Sequence, residues 1–442
     1  MMVKIKFIRL TEIQIKFILN YERKFDYDYI FSDLQLLGQF KSKDLLMKNE
    51  IHISVGIKDA AIVGSDHRAL QAAVDYVAAL GGGTIHIQPG TYQMEDSLHL
   101  RSNLKLIGDS EHTILRKGSG VISPLLTDGD YGEEQVSLTD PTGFEVGSGI
   151  SVCDDASGGF HTTTATIIAQ LDQNTFVINK PLQADCMVFR NAIAKNAFPI
   201  ISANYAENVE IEGLTIDGNR SANQPLNGCR GAGIFFYRVN NSQMSDCVVH
   251  DYNGDGYSFQ QSNDIVIENC QSYHNSNLGF HPGSGSQRPV IRNNTAYENE
   301  GDGLFLCWRV RHGIFEGNEL RSNGQYGISI GHKDSDNLLI DNLVLSNASH
   351  GIYFRNEPEC TGGHRNRLEA NGIYNNGTQG DGNGITIDGE TNDIGIVNNW
   401  IGNKTEYGNA TQRVGIVVGQ KAKRIEISEN EITGNLDADI TR

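Results

Sequence analysis

The segments Gly303-Leu-Phe-Leu306, Gly327-Ile-Ser-Ile330 and Gly351-Ile-Tyr-Phe354 repeat one pattern, in which a glycine precedes an apolar, a variable and a second apolar residue. Similar segments begin at Gly233, Gly256, Gly279, Gly384 and Gly415. The intervals between successive glycines are 23, 23, 24, 24, 24, 33 and 31 residues. The shorter period fits one coil of three short strands, and the longer intervals hold loops such as 357–365 and 403–412. The sequence therefore predicts an all-β fold, a right-handed parallel β-helix.

A second repeat, made of asparagines, runs in register with the glycines. An Asn-x-apolar-x-x-Asn unit opens at Asn294, Asn318, Asn342, Asn371 and Asn430. Stacked asparagines hydrogen-bond to one another and to the backbone, and so satisfy turn amides that burial would leave unpaired. Cys247 and Cys270 hold the equivalent place in earlier coils, which indicates inward-facing thiols. We interpret both sets as structural.

The region before the repeats predicts a helical cap. One face of a helix over 67–80 carries Leu70, Ala73, Val74, Val77 and Leu80, and Gly81–Gly83 follow as its end. Alternating segments then lead into the first coils. We assign residues 51–120 to this cap and the first coils of the solenoid.

Residues 121–195 interrupt the coil period. Short alternating segments such as Gly149-Ile-Ser-Val152, separated by Gly, Asp and Asn, predict a small inserted β-barrel before the main β-helix of residues 196–442. Residues 1–50 share no pattern with the rest and contain no uninterrupted apolar core of a signal peptide. Met47 offers an alternative start, so the status of this extension stays open.

The composition of the chain limits the kinds of partner and metal site that we expect. The chain has 54 acidic and 36 basic residues, and its formal charge of -18 disfavours nucleic acid and anionic lipid. Hydrophobic residues make up 38 %, too few for a membrane protein. Seven cysteines without a C-x-x-C pair argue against a zinc site and a disulfide framework. Acidic and amide oxygens are compatible with calcium, but no ligand spacing marks a metal site.

Alternation within each strand predicts a column of side chains along one face. The first and third residues after each glycine fill the core, and the second points to solvent. The column and the strand ends carry Asp255, Ser258, Gln260, His281, Arg288, Asp302, Trp308, Arg309, Arg311, Tyr326, Ser329, His332, Lys333, His350, Tyr353, Arg355, Glu357, Asp388 and Glu390. Coils lie about 4.8 Å apart, so four coils span the length of several sugar rings. This face predicts a groove for an extended polysaccharide.

The charge of this face indicates what kind of polymer it holds. Arg309, Arg311, His332, Lys333 and Arg355 fall within three coils of an acidic protein, which predicts an anionic, uronate-containing ligand. The alternative is that these groups are solvated or paired with neighbouring acids.

Two stretches resemble known β-helix proteins. Gly81-Gly-Gly-Thr84 after a helix resembles the start of the pectate-lyase-like superfamily, and Leu214-Thr-Ile-Asp-Gly-Asn-Arg220 resembles a strand of the mannuronan C5-epimerases and related polysaccharide lyases. The segment Leu278-Gly-Phe-His-Pro-Gly283 resembles that family's Tyr-Gly-Phe-Asp-Pro-His, but it has His281 at the position of the family's aspartate. Asp302-Gly-Leu304 resembles its Asp-Gly-Phe, whereas Gln325-Tyr-Gly-Ile328 lacks its Arg and His. The resemblance implies the fold and the substrate class, and the epimerase catalytic set does not carry over.

The predicted chemistry is β-elimination or C5 proton abstraction. Such a reaction needs a cation to neutralise the carboxylate and groups that take and give protons. The catalytic candidates are Tyr353, Arg355, His332, Lys333, Arg309 and His281. We expect the arginines and lysine to neutralise, and tyrosine beside cations or histidine to act as base or acid. The substrate-binding candidates are Trp308, Arg311, Tyr326, His350, Gln260, Arg288 and Glu390.

Two other functions stay open. A glycoside hydrolase needs paired carboxylates, which Asp302, Glu357 and Asp388 could supply. A non-catalytic, tail-spike-like polysaccharide binder would keep Trp308 and the basic strip without an acid and base pair. The substrate class predicts an extracellular or periplasmic protein, although no signal peptide is visible. The sequence identifies neither the sugar nor the oligomeric state.

Overall fold

The computed structural model describes residues 51–442. The N-terminal extension predicted for residues 1–50 lies outside the described residues. Within residues 51–442, no helix is both long and apolar enough to span a membrane.

Short strands stack coil upon coil into three parallel sheets. Within the described residues, sheet 1 is 13-stranded and contains His52–Gly56, Ile62–Val63, Gly83–Ile87, Leu104–Ile107, Val209–Glu212, Asn240–Ser245, Asn263–Glu268, Val290–Arg292, Ile314–Glu316, Leu338–Ile340, Arg367–Glu369, Asn392–Val397 and Lys423–Ser428. Sheet 2, 11-stranded in the same part of the chain, contains Gly90–Met94, Thr113–Lys117, Thr215–Asp217, Val248–His250, Gln271–Tyr273, Thr295–Tyr297, Glu319–Arg321, Leu343–Leu345, Gly372–Tyr374, Trp400–Gly402 and Glu431–Thr433. Sheet 3, also 11-stranded over residues 51–442, contains Leu98–Leu100, Ile201–Asn204, Ala232–Tyr237, Asp255–Gln260, Phe280–Gly283, Leu304–Phe305, Ile328–Ile330, Ile352–Phe354, Ile385–Ile387, Val414–Val418 and Ala438–Thr441.

The glycine repeat forms sheet 3, and its apolar positions fill the core. Ile328 pairs with Ile352, and Ile330 pairs with Phe354, in parallel register, and all four side chains are fully buried. Each coil thus contributes a branched or aromatic residue above its counterpart in the coil below. The predicted β-helix and its inward alternation are confirmed.

The predicted asparagine ladder is present. Asn318 Nδ2 donates to Asn342 Oδ1 at 2.9 Å and to the carbonyl of the core residue Ile291 at 2.9 Å. The Asn318 Oδ1 accepts from the backbone N–H of Asn294 at 3.1 Å. The ladder runs through Asn294, Asn318, Asn342, Asn371, Asn399 and Asn430. Side chains therefore satisfy buried backbone groups at every turn.

One α-helix, His67–Ala79, covers the first coil in the described region. It begins at Asp66, whose carboxylate accepts the backbone N–H groups of Arg68 and Ala69 at 3.0 and 3.2 Å. Its buried face, which includes Leu70, packs into the β-helix core. The prediction is wrong for Leu80, which follows the last helical residue and is 49 % exposed. Short 3-10 helices occur at Ser110–His112, Gly159–His161, Val188–Arg190, Arg220–Ala222, Glu359–Thr361 and Thr405–Tyr407.

A small antiparallel barrel interrupts the coils, as the sequence predicts. Its strands are Ile122–Pro124, Gln135–Ser137, Gly149–Cys153, Thr163–Gln170, Thr175–Ile178 and Ile193–Lys195. A bridge between Leu125 and Leu138 joins the first and last strands in the sheet order and closes it. The barrel has its own core, separate from that of the coils, in which Ile150 and Phe176 are buried.

Candidate functional site

The middle position of each sheet 3 strand points outward, but most of these side chains are covered. Ser258 pairs with His281 in register, and Ser329 pairs with Tyr353. Ser258, His281 and Ser329 are buried, whereas Phe305 and Tyr353 are partly exposed. The expectation of a continuous solvent-facing column is therefore wrong. Loop 223–231 covers one part of the face, and longer side chains lie over the small ones elsewhere.

Loop 223–231 encloses His281 and Gln260. The loop is held by Ser258, whose hydroxyl donates to the carbonyl of Gly228 at 2.7 Å. A Cβ at Gly228 would lie 1.8 Å from Asp255 Oδ2, so only glycine permits this approach. His281 Nδ1 lies 2.6 Å from Asp255 Oδ2, and both side chains are buried.

This enclosure changes the role expected of His281. Although burial disfavours the imidazolium, the hydrogen bond and charge of Asp255 raise the pKa of His281 to about 10. The ring is then a covered cation at neutral pH and is unsuited to accept a proton from a polymer. We correct the two predictions accordingly: His281 and Gln260 lie beneath the loop and do not line an open groove.

Three stacked rings form the open part of the face. Tyr326 stacks on Tyr353 with ring centroids 4.7 Å apart, and His350 lies 5.7 Å from Tyr326 and 5.4 Å from Tyr353. The Tyr353 hydroxyl donates to Asp388 Oδ2 at 3.1 Å. Burial and the neighbouring Asp388 raise the pKa of Tyr353 to about 12. The expectation that nearby cations ease its ionisation is wrong, and Tyr353 is a proton donor at neutral pH.

Asp302 lies at the base of this ring cluster. Its carboxyl group is buried and accepts the backbone N–H of Tyr326 at 3.1 Å. Burial raises the pKa of Asp302 to about 7, against the opposing effects of the Tyr326 N–H and the Arg355 charge. This carboxyl can therefore take or release a proton near neutral pH.

Arg355 reaches back over the face towards Asp302. Its guanidinium donates to Ser329 Oγ at 2.8 Å and pairs with the buried Asp334 at 3.1 Å. It also lies over the Phe305 ring, 4.5 Å from the centroid. Burial raises the pKa of Asp334 to about 7, opposed by Arg355. The guanidinium is thus fixed in place by neighbours on three sides.

A second stack stands at the ends of the strands. Trp308 is 44 % exposed and stacks on His332 with a centroid distance of 4.7 Å and an interplanar angle of 4°. His332 Nε2 lies 2.8 Å from Glu357 Oε1. Burial and the Arg355 charge lower the pKa of His332, so its ring is neutral at neutral pH. An exposed indole face beside polar groups suits contact with a sugar ring.

The same turn conformation positions the flanking cations. Trp308, Arg309, His332 and Lys333 all have positive φ angles, between 46° and 68°. Arg309 donates its backbone N–H to the carbonyl of His332 at 2.9 Å, which places Arg309 and Lys333 in equivalent positions on adjacent coils. These two cations border the Trp308–His332 stack.

Other predicted residues lie further from the ring cluster. Arg288 is in the turn leading into sheet 1, where it pairs with Asp264 at 2.7 Å. Arg311 lies in the same column of turns, where its backbone forms a parallel β-bridge with Gln287. Glu390 lies 3.6 Å from Lys421. The structure thus gathers Asp302, Tyr326, His350, Tyr353, Arg355 and Asp388 on one part of sheet 3, with Trp308, His332 and Glu357 beside them.

Two features that shape this site, Asp334 and loop 223–231, have no distinguishing signal in the sequence. Asp334 follows Lys333 in a turn, and no spacing distinguishes it from a solvated aspartate. Loop 223–231 lies outside the glycine pattern. In residues 51–442, no group of three or more His, Cys, Asp or Glu side chains is placed to hold a metal ion.

Comparisons with known proteins agree with this architecture. The family model described as "Right handed beta helix region" matches residues 167–344. The stacked parallel coils and this match define the chain as a right-handed β-helix protein.

Sequence relatives include mannuronan C5-epimerases of Azotobacter vinelandii. AlgE2 is 23 % identical over 321 residues, covering 72 % of this chain and 24 % of that protein. AlgE5 is 23 % identical over 376 residues, covering 80 % of this chain and 33 % of that protein. The chain therefore spans only a quarter to a third of the length of these two relatives.

Two solved structures share the fold. The A-module of A. vinelandii mannuronan C-5 epimerase AlgE4 has a TM-score of 0.57 at 17 % identity, covering 88 % of this chain and 100 % of that chain. The Streptococcus pneumoniae surface protein and adhesin PfbA has a TM-score of 0.54 at 13 % identity, with the same coverage of 88 % and 100 %. At these identities the likeness concerns the fold alone.

Proposed function

We propose that this chain acts on an extended, uronate-containing polysaccharide by β-elimination or C5 proton abstraction. The reaction takes place at an active cluster, which we define as Asp302, Tyr326, Tyr353 and Arg355. The observation that carries the proposal is the buried Asp302 carboxyl, whose pKa of about 7 is matched to proton transfer near neutral pH. It lies beside a stacked tyrosine pair and a fixed guanidinium.

The members of the active cluster have complementary roles. Removing the C5 proton of a uronate leaves negative charge on its carboxylate, which Arg355 stabilises from a fixed position. Ionised Asp302 takes the C5 proton. Tyr353, whose pKa of about 12 keeps it protonated, donates to the leaving oxygen in elimination or to the opposite face of C5 in epimerisation. Tyr326 and Trp308 offer ring faces to the sugars.

Two further points support the substrate class and the choice of base. The sequence relatives are mannuronan C5-epimerases, and mannuronan is a polyuronate. Asp302 is also the residue at which the Asp-Gly-Phe resemblance is kept, while His281, at the position of the family's other acid, is enclosed and cationic. Proton abstraction is therefore assigned to Asp302, one coil beyond His281.

A substrate screen tests the proposal. Alginate, pectate and glycosaminoglycans are incubated with the chain; ultraviolet absorbance reports the unsaturated end of a lyase product, and proton NMR reports a changed C5 configuration. We expect one of these signals with a uronate polymer and its loss in Asp302→Asn. Asp336→Asn is the matched control, since Asp336 pairs with Arg365 on an exposed turn. Activity retained in Asp302→Asn would contradict the assignment.

A glycoside hydrolase is the second candidate, and one observation favours it. A carboxyl that stays partly protonated at neutral pH, as Asp302 does, is what a general acid requires, and Asp388 on the same face offers the second carboxylate. New reducing ends without ultraviolet absorbance would identify this chemistry. Unchanged polymer that nevertheless binds would identify a non-catalytic binder.

A further inference from the structure

A pocket lies where the inserted barrel meets the first coils, away from the active cluster. It has a volume of about 300 Å³ and lies between Thr163, Thr164 and Lys180 of the barrel region and Asn204 and Tyr237 of sheet 3. Arg230, from loop 223–231, also lines it. An adjoining pocket of about 280 Å³ shares Lys180 and Asn204, so the two form one elongated cleft.

The cleft presents two cations, and neither forms an ion pair within the described residues. Of the described residues that line the larger pocket, Lys180 and Arg230 are charged and none is a carboxylate. Lys180 forms no hydrogen bond or ion pair with the described part of the chain. The nearby Asp96 is engaged elsewhere, accepting from Thr166 Oγ1 at 2.6 Å and from the Ser97 N–H at 2.8 Å. Burial lowers the pKa of Lys180, the charge of Asp96 opposes this shift, and the Arg230 charge adds a smaller contribution that lowers it.

Arg230 is held so that its charge faces the cleft. Its Nε donates to the carbonyl of Phe160 at 2.9 Å, and its guanidinium lies over the Phe160 and Tyr237 rings at 5.2 and 5.6 Å. Burial is the main cause that lowers the pKa of Arg230. Two largely buried cations that have no ion-pair partner are destabilising unless an anion joins them.

We propose that this cleft is a second binding subsite, which holds an anionic sugar of the same polymer through Lys180 and Arg230. The Thr164 hydroxyl and the Asn204 amide, which are both partly exposed, offer hydrogen bonds to sugar hydroxyls. The subsite rests on the proposed function only for the identity of the polymer. It gives loop 223–231 a double role, since the loop covers His281 and also supplies Arg230.

The subsite is aligned with the active cluster. The strand Ala232–Tyr237 and the strand Ile352–Phe354 belong to the same sheet and are five coil steps apart, which is about 24 Å. A trisaccharide is too short to occupy both places, whereas a longer oligomer reaches from the cleft to Tyr353. Long oligomers therefore gain affinity by binding both sites at once.

Calorimetric titration of the full chain tests the subsite. Asp302→Asn serves as the background that prevents turnover, and the probes are long oligogalacturonate, oligomannuronate, a chondroitin sulfate oligosaccharide and a carboxyl-reduced oligomer. We expect Lys180→Gln to weaken binding of a long uronate oligomer about tenfold or more, and Lys180→Arg to restore most of the affinity. Lys423→Gln removes the same charge from exposed sheet 1 and is the matched control.

The outcomes separate the two proposals. Equal affinities in Lys180→Gln and Lys423→Gln, or undiminished binding of the carboxyl-reduced oligomer, would overturn the subsite. If chondroitin sulfate alone depends on Lys180, the anion is a sulfate and the subsite stands with that ligand. Binding that depends on Lys180 without any product from the wild-type chain would overturn the proposed reaction and leave the subsite. Failure of every probe to bind the wild-type chain would overturn both.

Discussion

The asparagine ladder and the ring cluster are built by the same coils, yet their polar groups differ in how fully their hydrogen bonds are satisfied. Asn318 has partners on both its oxygen and its nitrogen, between 2.9 and 3.1 Å away. On sheet 3, Asp302 is buried with a raised pKa, and the Nε of Arg355 is a buried donor without a partner among the described residues. Repetition along the axis therefore satisfies the polar groups of the ladder, whereas the ring cluster keeps a buried carboxyl with a raised pKa and a buried donor without a partner.

The largest expected effect is a loss of catalytic rate on changing the ring cluster. Tyr353→Phe removes the proposed proton donor and should lower the rate on the preferred polymer by about 10² to 10⁴-fold, with only a small change in stability. Tyr297→Phe, in a tyrosine pair stacked at 4.8 Å on sheet 2, is the matched control and should keep full activity. Equal rates in the two variants would remove Tyr353 from the mechanism.

The second prediction breaks the ladder. Asn318→Ala leaves the buried backbone N–H of Asn294 and the carbonyl of Ile291 without their partners, and should lower the free energy of unfolding by about 2 to 4 kcal/mol. Denaturant unfolding measures it, and the rate per folded molecule should be unchanged. Asn409→Ala, on an exposed loop, is the control. A loss in Asn318→Ala no larger than that of the control would show that the ladder does not carry stability.

The third prediction uses pH to distinguish a base from an acid at Asp302. If Asp302 abstracts the C5 proton, the rate rises as the pH increases through about 7, because the carboxyl ionises there. If Asp302 is the general acid of a hydrolase, the rate falls over the same interval. A pH–rate profile decides between them, and a flat profile around pH 7 would contradict both roles.

The free energy of unfolding should also depend on the ionisation of Asp302. The folded-state pKa of Asp302 is raised above the ordinary 3.8 to about 7, so between these values the folded state binds more protons than the unfolded state. Its contribution to stability is present at low pH and is lost as the pH rises through about 7. Unfolding of Asp302→Asn should therefore depend less steeply on pH than that of the wild type, although Asp334 keeps a similar dependence. Identical slopes would contradict the raised pKa.

The smallest expected effect concerns the exposed indole. Trp308→Ala removes a stacking surface and should weaken oligomer binding by about 1 kcal/mol, roughly fivefold in Kd. Trp400 is 38 % exposed on sheet 2, so Trp400→Ala tests whether any surface indole gives the same loss. Equal affinities in the two variants would make Trp308 a structural residue.

The sequence predicts the fold well because a solenoid is encoded by local repetition. The glycine interval places Ser329 beside Tyr353 and Asn318 beside Asn342 without any knowledge of long-range contacts. The stacking of Trp308 on His332 also follows from their separation of one coil. Period and alternation thus determine which residues are neighbours.

The site is less predictable because its electrostatics depend on contacts that have no period. Enclosure of His281 depends on loop 223–231. The pKa of Tyr353 depends on Asp388, which lies on the next coil but 35 residues further along the chain, because the loop after Phe354 contains an insertion. The environment of Lys180 depends on how the barrel docks on the first coils. Such contacts are set by three-dimensional packing, so the sequence names candidates without their ionisation states.

A crystal structure of Asp302→Asn with a bound long uronate oligomer would show where the polymer lies. We expect the sugar chain along sheet 3, with one carboxylate facing Arg355 and a sugar ring against Tyr326 or Trp308. An oligomer bound on sheet 1 or sheet 2, with sheet 3 unoccupied, would contradict it.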